Sequence, residues 1–250
     1  EVVIPGPFLL PFQAYDALAV IGVLDGLRAA GRDVPPYRDG LPVSIAVGRQ
    51  VVIDALREGV DIAWSHEVRD LERDADGRVV GVRVATPDGE RTIASDLVVG
   101  ADGAHSGVRT LAGIPCATRR CDTAALSFRS PRHLEESFHL EFLSDGRQIM
   151  VLGWPGGTAG SWQIPRVEGG EDAARAPGLD EYRRRFAALL PQAAPALSDL
   201  TSADELLYRE ATEVECERWW MPGVTLIGEA LHAMNPEAGI GSGLGMGDAF

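Results

Sequence analysis

The chain has 250 residues, 45% hydrophobic and 24% charged, with 37 acidic against 23 basic side chains and a formal net charge of −14. That composition is enough to build a globular core, and so acidic a surface repels phosphate backbones and anionic headgroups, which argues against nucleic acid or membrane surfaces as partners. No apolar run approaches the roughly 20 residues that a membrane-spanning helix needs.

The opening EVVIPGPF has neither a basic region nor a signal-peptide layout and lacks an initiating methionine, so it reads as the interior of a longer product. Residues 16–30, DALAVIGVLDGLRAA, predict one helix capped by Asp16, with Leu18, Ile21 and Leu24 or Val20, Val23 and Leu27 toward a core and Gly31 at its end. Pro35, Pro36, Gly40 and Pro42 predict a connection over 33–48, and RQVVIDALR a second helix over 49–57. Over about 67–95, short alternating runs broken at Asp76-Gly77 and Asp88-Gly89 predict a three-stranded antiparallel meander. It feeds an apolar strand at 96–100.

From 122 onward the pattern is again strand-like. TAALSFRS is followed by SFHLEFLSDGRQIMVLGW, a hairpin turning at Ser144-Asp145-Gly146, and then by SWQIPRV. A helix follows at 180–190, with Asp180 as cap, Tyr182, Phe186, Leu189 and Leu190 on one face and Arg183, Arg184 and Arg185 on a solvated side. Val224 to Ile227 is a short buried strand. The three cysteines, Cys116, Cys121 and Cys216, show no CxxC or Cys/His ligand spacing, which reads as a reduced cytoplasmic protein with ordinary thiols and no metal site.

Two strand ends carry the chemistry. In DLVVGADGAHSGVR, residues 96–109, a Val/Leu strand without alternation reads as covered on both faces, as in a parallel sheet. Asp102 sits at its carboxyl end, where such sheets bind ligands, between Gly100 and Gly103, which allow a sharp bend. Ser106 is a good N-cap for a helix over Val108–Ala112, stopped by Gly113 and Pro115. A carboxylate there suits a hydroxyl-rich ligand such as a ribose, and Arg109 suits a phosphate or Asp102 itself. On this stretch alone the alternative stands: Asp102 caps the following turn and Arg109 forms a surface ion pair. The second strand end, Val224–Ile227, also runs into glycine plus acid, Gly228-Glu229. Pro236 then introduces glycines at 239, 241, 243, 245 and 247, whose unshielded N–H groups favour negative charge where a helix begins.

GADGAHSGVR resembles the DG motif, and LIGEALHAMNPEAGIGSGLGMGDAF the GD motif, of the p-hydroxybenzoate hydroxylase-like FAD-dependent monooxygenases. Their order, the strand-rich region between them and the closing Asp248-Ala249 fit that family over nearly the whole chain. The resemblance implies an α/β fold with α+β elements: a Rossmann-like FAD-binding sheet with an antiparallel meander, plus a strand-rich substrate domain. It implies an FAD-binding domain over 1–121 and 206–250, incomplete at both ends, and a substrate-covering β-sheet domain over 122–205. Trp154, Trp162, Phe138 and Phe142 are candidates for lining that domain's pocket or for plain core.

Carried over by position, the resemblance puts Asp102 and Gly103, with Ser106 and Arg109 behind them, where flavin and nicotinamide contacts meet. It puts Gly228 and Glu229 on the ribose–ribitol part of FAD. Gly239, Gly241, Ser242 and Gly243 face the flavin pyrimidine edge, Arg49 lies against the cofactor, and His232 and Pro236 near the ring. For His232, packing and catalysis both stay open, and no residue is assigned as catalytic. The implied reaction is hydroxylation of a small organic, often aromatic, substrate with NAD(P)H and O2. Two alternatives remain: a truncated or decayed relative with weak or no FAD binding, and a related FAD-dependent halogenase or reductase. Three departures bear on this. Glu229 stands where the family has Asp, extending the carboxylate by about 1.5 Å. Gly243 stands where it has Asn. No GxGxxG follows an opening strand. The whole reading requires Asp102 and Glu229 to meet at one edge of one sheet.

Overall fold

A computed structural model describes residues 6–135, 138–236 and 239–250. The first five residues, Ser137 of the expected hairpin and the Glu237-Ala238 step of the glycine-rich segment lie outside them. In chain order the main elements are β1 Pro7–Pro11, α1 Tyr15–Val20, α2 Leu24–Ala30, β2 Arg32–Arg38, β3 Leu41–Gly48, α3 Arg49–Arg57, β4 Glu67–Arg73, β5 Val79–Thr86, β6 Gly89–Ala94, β7 Val98–Gly100, α4 Gly107–Ala112 and β8 Cys116–Ser130. They continue with β9 Phe138–Phe142, β10 Gln148–Trp154, β11 Gly157–Pro165, α5 Gly170–Arg175, α6 Leu179–Leu189, α7 Ala194–Leu197, β12 Leu207–Cys216, β13 Trp220–Met221, β14 Val224–Leu226, α8 Glu229–His232 and α9 Gly241–Asp248. Among the described residues no helix is long and apolar enough to cross a membrane.

The chain divides into two compact units: the part up to Glu58 with Cys121–Ala211, and Gly59–Arg120 with Thr212–Phe250. These units cut the chain differently from the expected domains, because the first 58 residues group with the strand-rich middle. Within that first unit β1, β3 and β2 form a three-stranded antiparallel sheet, and the five-stranded order is β12-β8-β11-β10-β9. One face of the larger sheet meets the smaller one, through Val34, Ala46, Leu152 and Trp154, with Phe138 packed alongside. The other face is covered by α6 and α7. There Phe128 and Phe186 meet edge to face, 5.4 Å between ring centroids, beside Tyr182 and Leu197. Each such fully buried side chain contributes about 1.5–3 kcal/mol. Strand alternation separates the aromatics: Trp154 faces the small sheet and Trp162 the helices, while Phe142 is exposed.

Two expectations in this unit are corrected. The helix over 16–30 is two helices, because Gly22 adopts φ +77° and closes α1 with a 3.0 Å bond from Val23 N to Leu18 O and another from Gly22 N to Ala19 O. This paired pattern is the glycine C-terminal motif of helices. The connection over 33–48 is a hairpin. Asp39 and Gly40 both have positive φ between paired Arg38 and Leu41, the geometry of a two-residue turn matched to strand twist. Pro35 and Pro36 are tolerated because β2 lies at a sheet edge and its register shifts between Val34 and Tyr37.

In the second unit β4-β5-β6 is the expected antiparallel meander, and β13-β14-β7 is a small sheet whose β14–β7 pair is parallel. The core joins Leu71 and Val79 of the meander to Val108 and Ala112 of α4 and to Val224, Leu226 and Leu231. Leu97 and Val99, at strand β7, are exposed in this chain. The turn between β13 and β14 couples the two sheets. Val79 N donates to Pro222 O and Val98 N to Gly223 O, each at 2.9 Å. Gly223 has φ +80°, and a Cβ there would lie 1.9 Å from the carbonyl oxygen of Val79. Replacing Gly223 by Ala is expected to destabilise the fold by about 2 kcal/mol or more, through strained backbone plus a clash with main chain that has no slack. A urea unfolding midpoint unchanged from wild type would contradict this.

Candidate active site

Strands β7 and β14 run parallel in the register Val224↔Val98, Thr225↔Val99 and Leu226↔Gly100, and Ile227 N donates to Gly100 O at 3.0 Å. Both strands therefore end at the same edge. Asp102 follows Gly100 by two residues and Glu229 follows Leu226 by three, so the two acidic bends leave that edge side by side. Parallel sheets bind ligands beyond this end, because the bends there are free to shape a crevice.

The Asp102 bend is built by its own side chain. One carboxylate oxygen accepts from the Ser106 hydroxyl, and the other accepts from Val108 N at 3.0 Å. Partial burial pushes the Asp102 pKa up, but the Ser106 hydroxyl and the backbone N–H groups of Val108, Asp102 and Gly107 outweigh it, and the net shift is downward. Ser106 Oγ in turn accepts from Arg109 N at 2.9 Å and caps α4, which Gly113 closes at φ +67°. Asp102 thus bonds the turn that follows it, as the alternative reading had it, and Ser106 is the expected cap.

Arg109 is not a surface residue. Its side chain is buried, 6% exposed, and its two terminal nitrogens donate to Ala230 O at 2.7 Å and Ala104 O at 2.8 Å. Ala104 belongs to the first bend and Ala230 to the second, so one guanidinium ties them together. The terminal nitrogens are thus engaged by the protein's own main chain, a role the spacing alone did not reveal.

The second bend turns at Gly228, φ +59° and ψ −142°, whose carbonyl accepts from Leu231 N and His232 N. Asp248, from the last turn of α9, closes it. One of its oxygens accepts from Gly228 N at 2.7 Å and lies 2.6 Å from His232 Nε2. A carboxylate only accepts, so Nε2 carries the shared hydrogen. A Cβ on Gly245 would lie 3.2 Å from the Gly228 Cα, so α9 rests on the bend through a glycine-to-glycine contact. Asp248 was not among the expected site residues; the Asp-Ala pair closing the motif was the available signal.

Glu229 is exposed, Gly243 is buried, and Gly241 begins α9 with Ile240 before it. Gly239 has φ +65° and donates its N–H to Pro236 O at 3.0 Å. Gly103 has φ +84°. This edge thus offers exposed carboxylates that accept sugar hydroxyls, and side-chain-free N–H groups at the positive end of an eight-residue helix. That donor and acceptor set fits a nucleotide-like group with an anionic edge, and so fits FAD.

Arg49 belongs to the first unit. It opens α3, its N–H donates to Gly6 O at 2.9 Å, and its guanidinium lies 5.6 Å from the Phe8 ring centroid. Burial lowers its pKa, and the charges of Arg209 and Arg129 lower it further. Its Nε is buried with no acceptor among the described residues, and Arg129 lies against Gly6, the residue that holds the Arg49 main chain. A cation cluster inside so acidic a chain suits an anion; Arg129 and Arg209 were not foreseen.

Comparison with known proteins agrees with this geometry. The chain matches the family described as FAD binding domain over residues 39–250. It is 27% identical over 229 residues to the chloroplastic zeaxanthin epoxidase of Spinacia oleracea, covering 86% of this chain and 32% of that protein. It is 27% identical over 167 residues to the 6-methylpretetramide 4-monooxygenase of Streptomyces rimosus, covering 63% of this chain and 38% of that protein. The chain thus spans about a third of the length of these curated relatives. Among solved structures, PqsL of P. aeruginosa in complex with 2-aminobenzoylacetate shares the fold with a TM-score of 0.77 and 22% identity, covering 100% of this chain and 74% of that one. With both motifs meeting at one sheet edge and the match running over most of its length, the chain belongs to the FAD binding domain family, that of the p-hydroxybenzoate hydroxylase-like FAD-dependent monooxygenases.

Proposed function

We propose that this chain forms the flavin-binding part of a monooxygenase that hydroxylates a small organic, aromatic substrate with NAD(P)H and O2. The observation that carries the reading is the register Leu226↔Gly100, which delivers Asp102 and Gly228-Glu229 to one edge. When bound, FAD supplies the redox chemistry with oxygen; the chain binds, orients and excludes water.

In this reading Asp102 and Glu229 accept sugar hydroxyls, and Gly103 lets the backbone come close. Gly239, Gly241, Ser242 and Gly243 present main chain to the anionic edge of the ring. Pro236 and His232 belong to the same loop, where His232 works through Asp248 as a packing and orienting residue. Ser106 and Arg109 hold the bends in place from behind. Arg49, with Arg129 and Arg209, forms the anion-attracting part of the first unit. That unit's 122–205 sheet is the proposed substrate cover.

The test is FAD titration of the full-length gene product, followed by flavin fluorescence, with NAD(P)H consumption measured alongside. Asp102→Ala is expected to weaken FAD by about tenfold, the scale of a lost charge-assisted hydrogen bond. Glu229→Asp, which shortens the reach of the acid, is expected to tighten it. A protein that stays colourless with added FAD and consumes no NAD(P)H overturns the proposal.

Asp102 also gives a pH signature. Its folded pKa lies below that of an unfolded aspartate, about 3.9, so its contribution to stability is complete above that value and is lost as pH falls through the folded pKa. Asp102→Asn is expected to lower stability at neutral pH and to remove that part of the decline below about pH 4. Urea midpoints measured from pH 3 to 7 check it; parallel curves for the two proteins would refute it.

A further inference from the structure

Cys116 opens β8 and Cys216 ends β12, neighbouring strands of one sheet, and both cysteines fall in the second compact unit. Two contacts fix their pairing. Glu217 N donates to Pro115 O at 3.0 Å, and the Arg119 guanidinium meets the Glu213 carboxylate. Positions rise along one strand as they fall along the other. The strands therefore run antiparallel here, and Cys116 stands directly opposite Cys216.

In an antiparallel ladder, opposite pairs alternate between hydrogen-bonded and non-hydrogen-bonded. Pro115 and Glu217 share a main-chain bond, so the next pair, Cys116 and Cys216, is a non-hydrogen-bonded one. The Cα atoms of such a pair stand about 4.5 Å apart, with both side chains on one face. A disulfide spans Cα separations of roughly 4.4–6.8 Å, so this pair lies within its reach.

Both thiols are free and partly buried. Cys216 packs against the core of its unit, and its thiol donates to Ala230 O at 3.9 Å, the carbonyl that also takes the Arg109 guanidinium. Burial, and next the adjacent Cys116 thiol, push the Cys216 pKa up, and Arg109 opposes them. The third cysteine, Cys121, is buried and belongs to the other unit.

We propose that Cys116 and Cys216 form a reversible cross-strand disulfide when oxidised by a peroxide. A thiolate of the pair attacks one oxygen of hydrogen peroxide and the O–O bond breaks. The hydroxide released takes up the proton that the thiol gave up. The second sulfur then attacks the sulfenic sulfur, forms the S–S bond and releases water. Two thiols and one peroxide give one disulfide and two waters; the sulfurs are oxidised and the peroxide oxygens reduced. The bond closes the chain from 116 to 216, which carries β8 to β12, into a ring, and long rings constrain the unfolded chain most. It also withdraws the Cys216 hydrogen from Ala230 O and leaves that carbonyl to Arg109. None of this depends on the flavin reading.

The test uses the full chain, reduced with dithiothreitol, freed of it and treated with a small excess of hydrogen peroxide. Thiols counted after denaturation are expected to fall from three to one, and to return to three with fresh dithiothreitol. Trypsin cuts at Arg119 and Arg120 and so separates Cys116 from Cys121; mapping of the monomer is expected to find the Cys116 and Cys216 peptides joined. Cys121→Ser keeps the pair; it is expected to lose both remaining thiols and to gain in urea midpoint on oxidation. Cys116→Ser is expected to show neither a link within the chain nor that gain. The proposal fails if the wild-type count stays at three, if the link runs through Cys121 or only between chains, if dithiothreitol does not restore the thiols, or if oxidised Cys121→Ser keeps the midpoint of its reduced form.

Discussion

The site depends on one pairing: two short parallel strands, β7 and β14, locked in register so that both end beside each other. Only three residue pairs define it, too few to specify a register on hydrophobic pattern alone. The surroundings supply the rest. The Gly223 turn bonds β14 to β5 and β7 on one side, and the Arg109 guanidinium bonds the two bends beyond the strand ends. A one-residue slip would break both sets at once. It would also move the Leu226 side chain out of the core it shares with Val108. The register is therefore fixed by polar contacts at either end of a minimal apolar ladder.

Much of this was legible where the signal is local. Ser106 and Gly113 bracket α4 because a short hydroxyl and a left-handed glycine answer needs that arise within one helix turn. Asp76-Gly77 and Asp88-Gly89 marked the meander for the same reason. The same local signals occur in the N-terminal part. Gly22 carries the same C-terminal motif as Gly113, and Asp39-Gly40 the same turn signal as the meander, but two prolines nearby suggested a connection. Proline only excludes a central strand, and β2 is an edge.

What could not be read locally was partnership over distance. Arg109 meets Ala230, 121 positions away, and Asp248 meets Gly228, 20 away. Sequence spacing gave Arg109 a ligand because an arginine one turn into a helix behind a glycine bend is chemically suited to phosphate. The fold instead gives its terminal nitrogens to main-chain carbonyls that would otherwise be left unpaired near the core.

Helix α9 is shaped by its contact with the second bend. Four of its eight residues are glycine, each less favourable than alanine by about 1 kcal/mol in a helix interior. It also carries Asp248 in its last turn, where the helix dipole disfavours an anion. Neither choice serves the helix in isolation. Both are explained by the bend beneath: Gly245 allows the backbone of Gly228 to approach, and Asp248 receives two donors, Gly228 N and His232 Nε2, that offset its unfavourable place. The helix is thus held by its distal end and by its contact with the bend rather than by its own propensity.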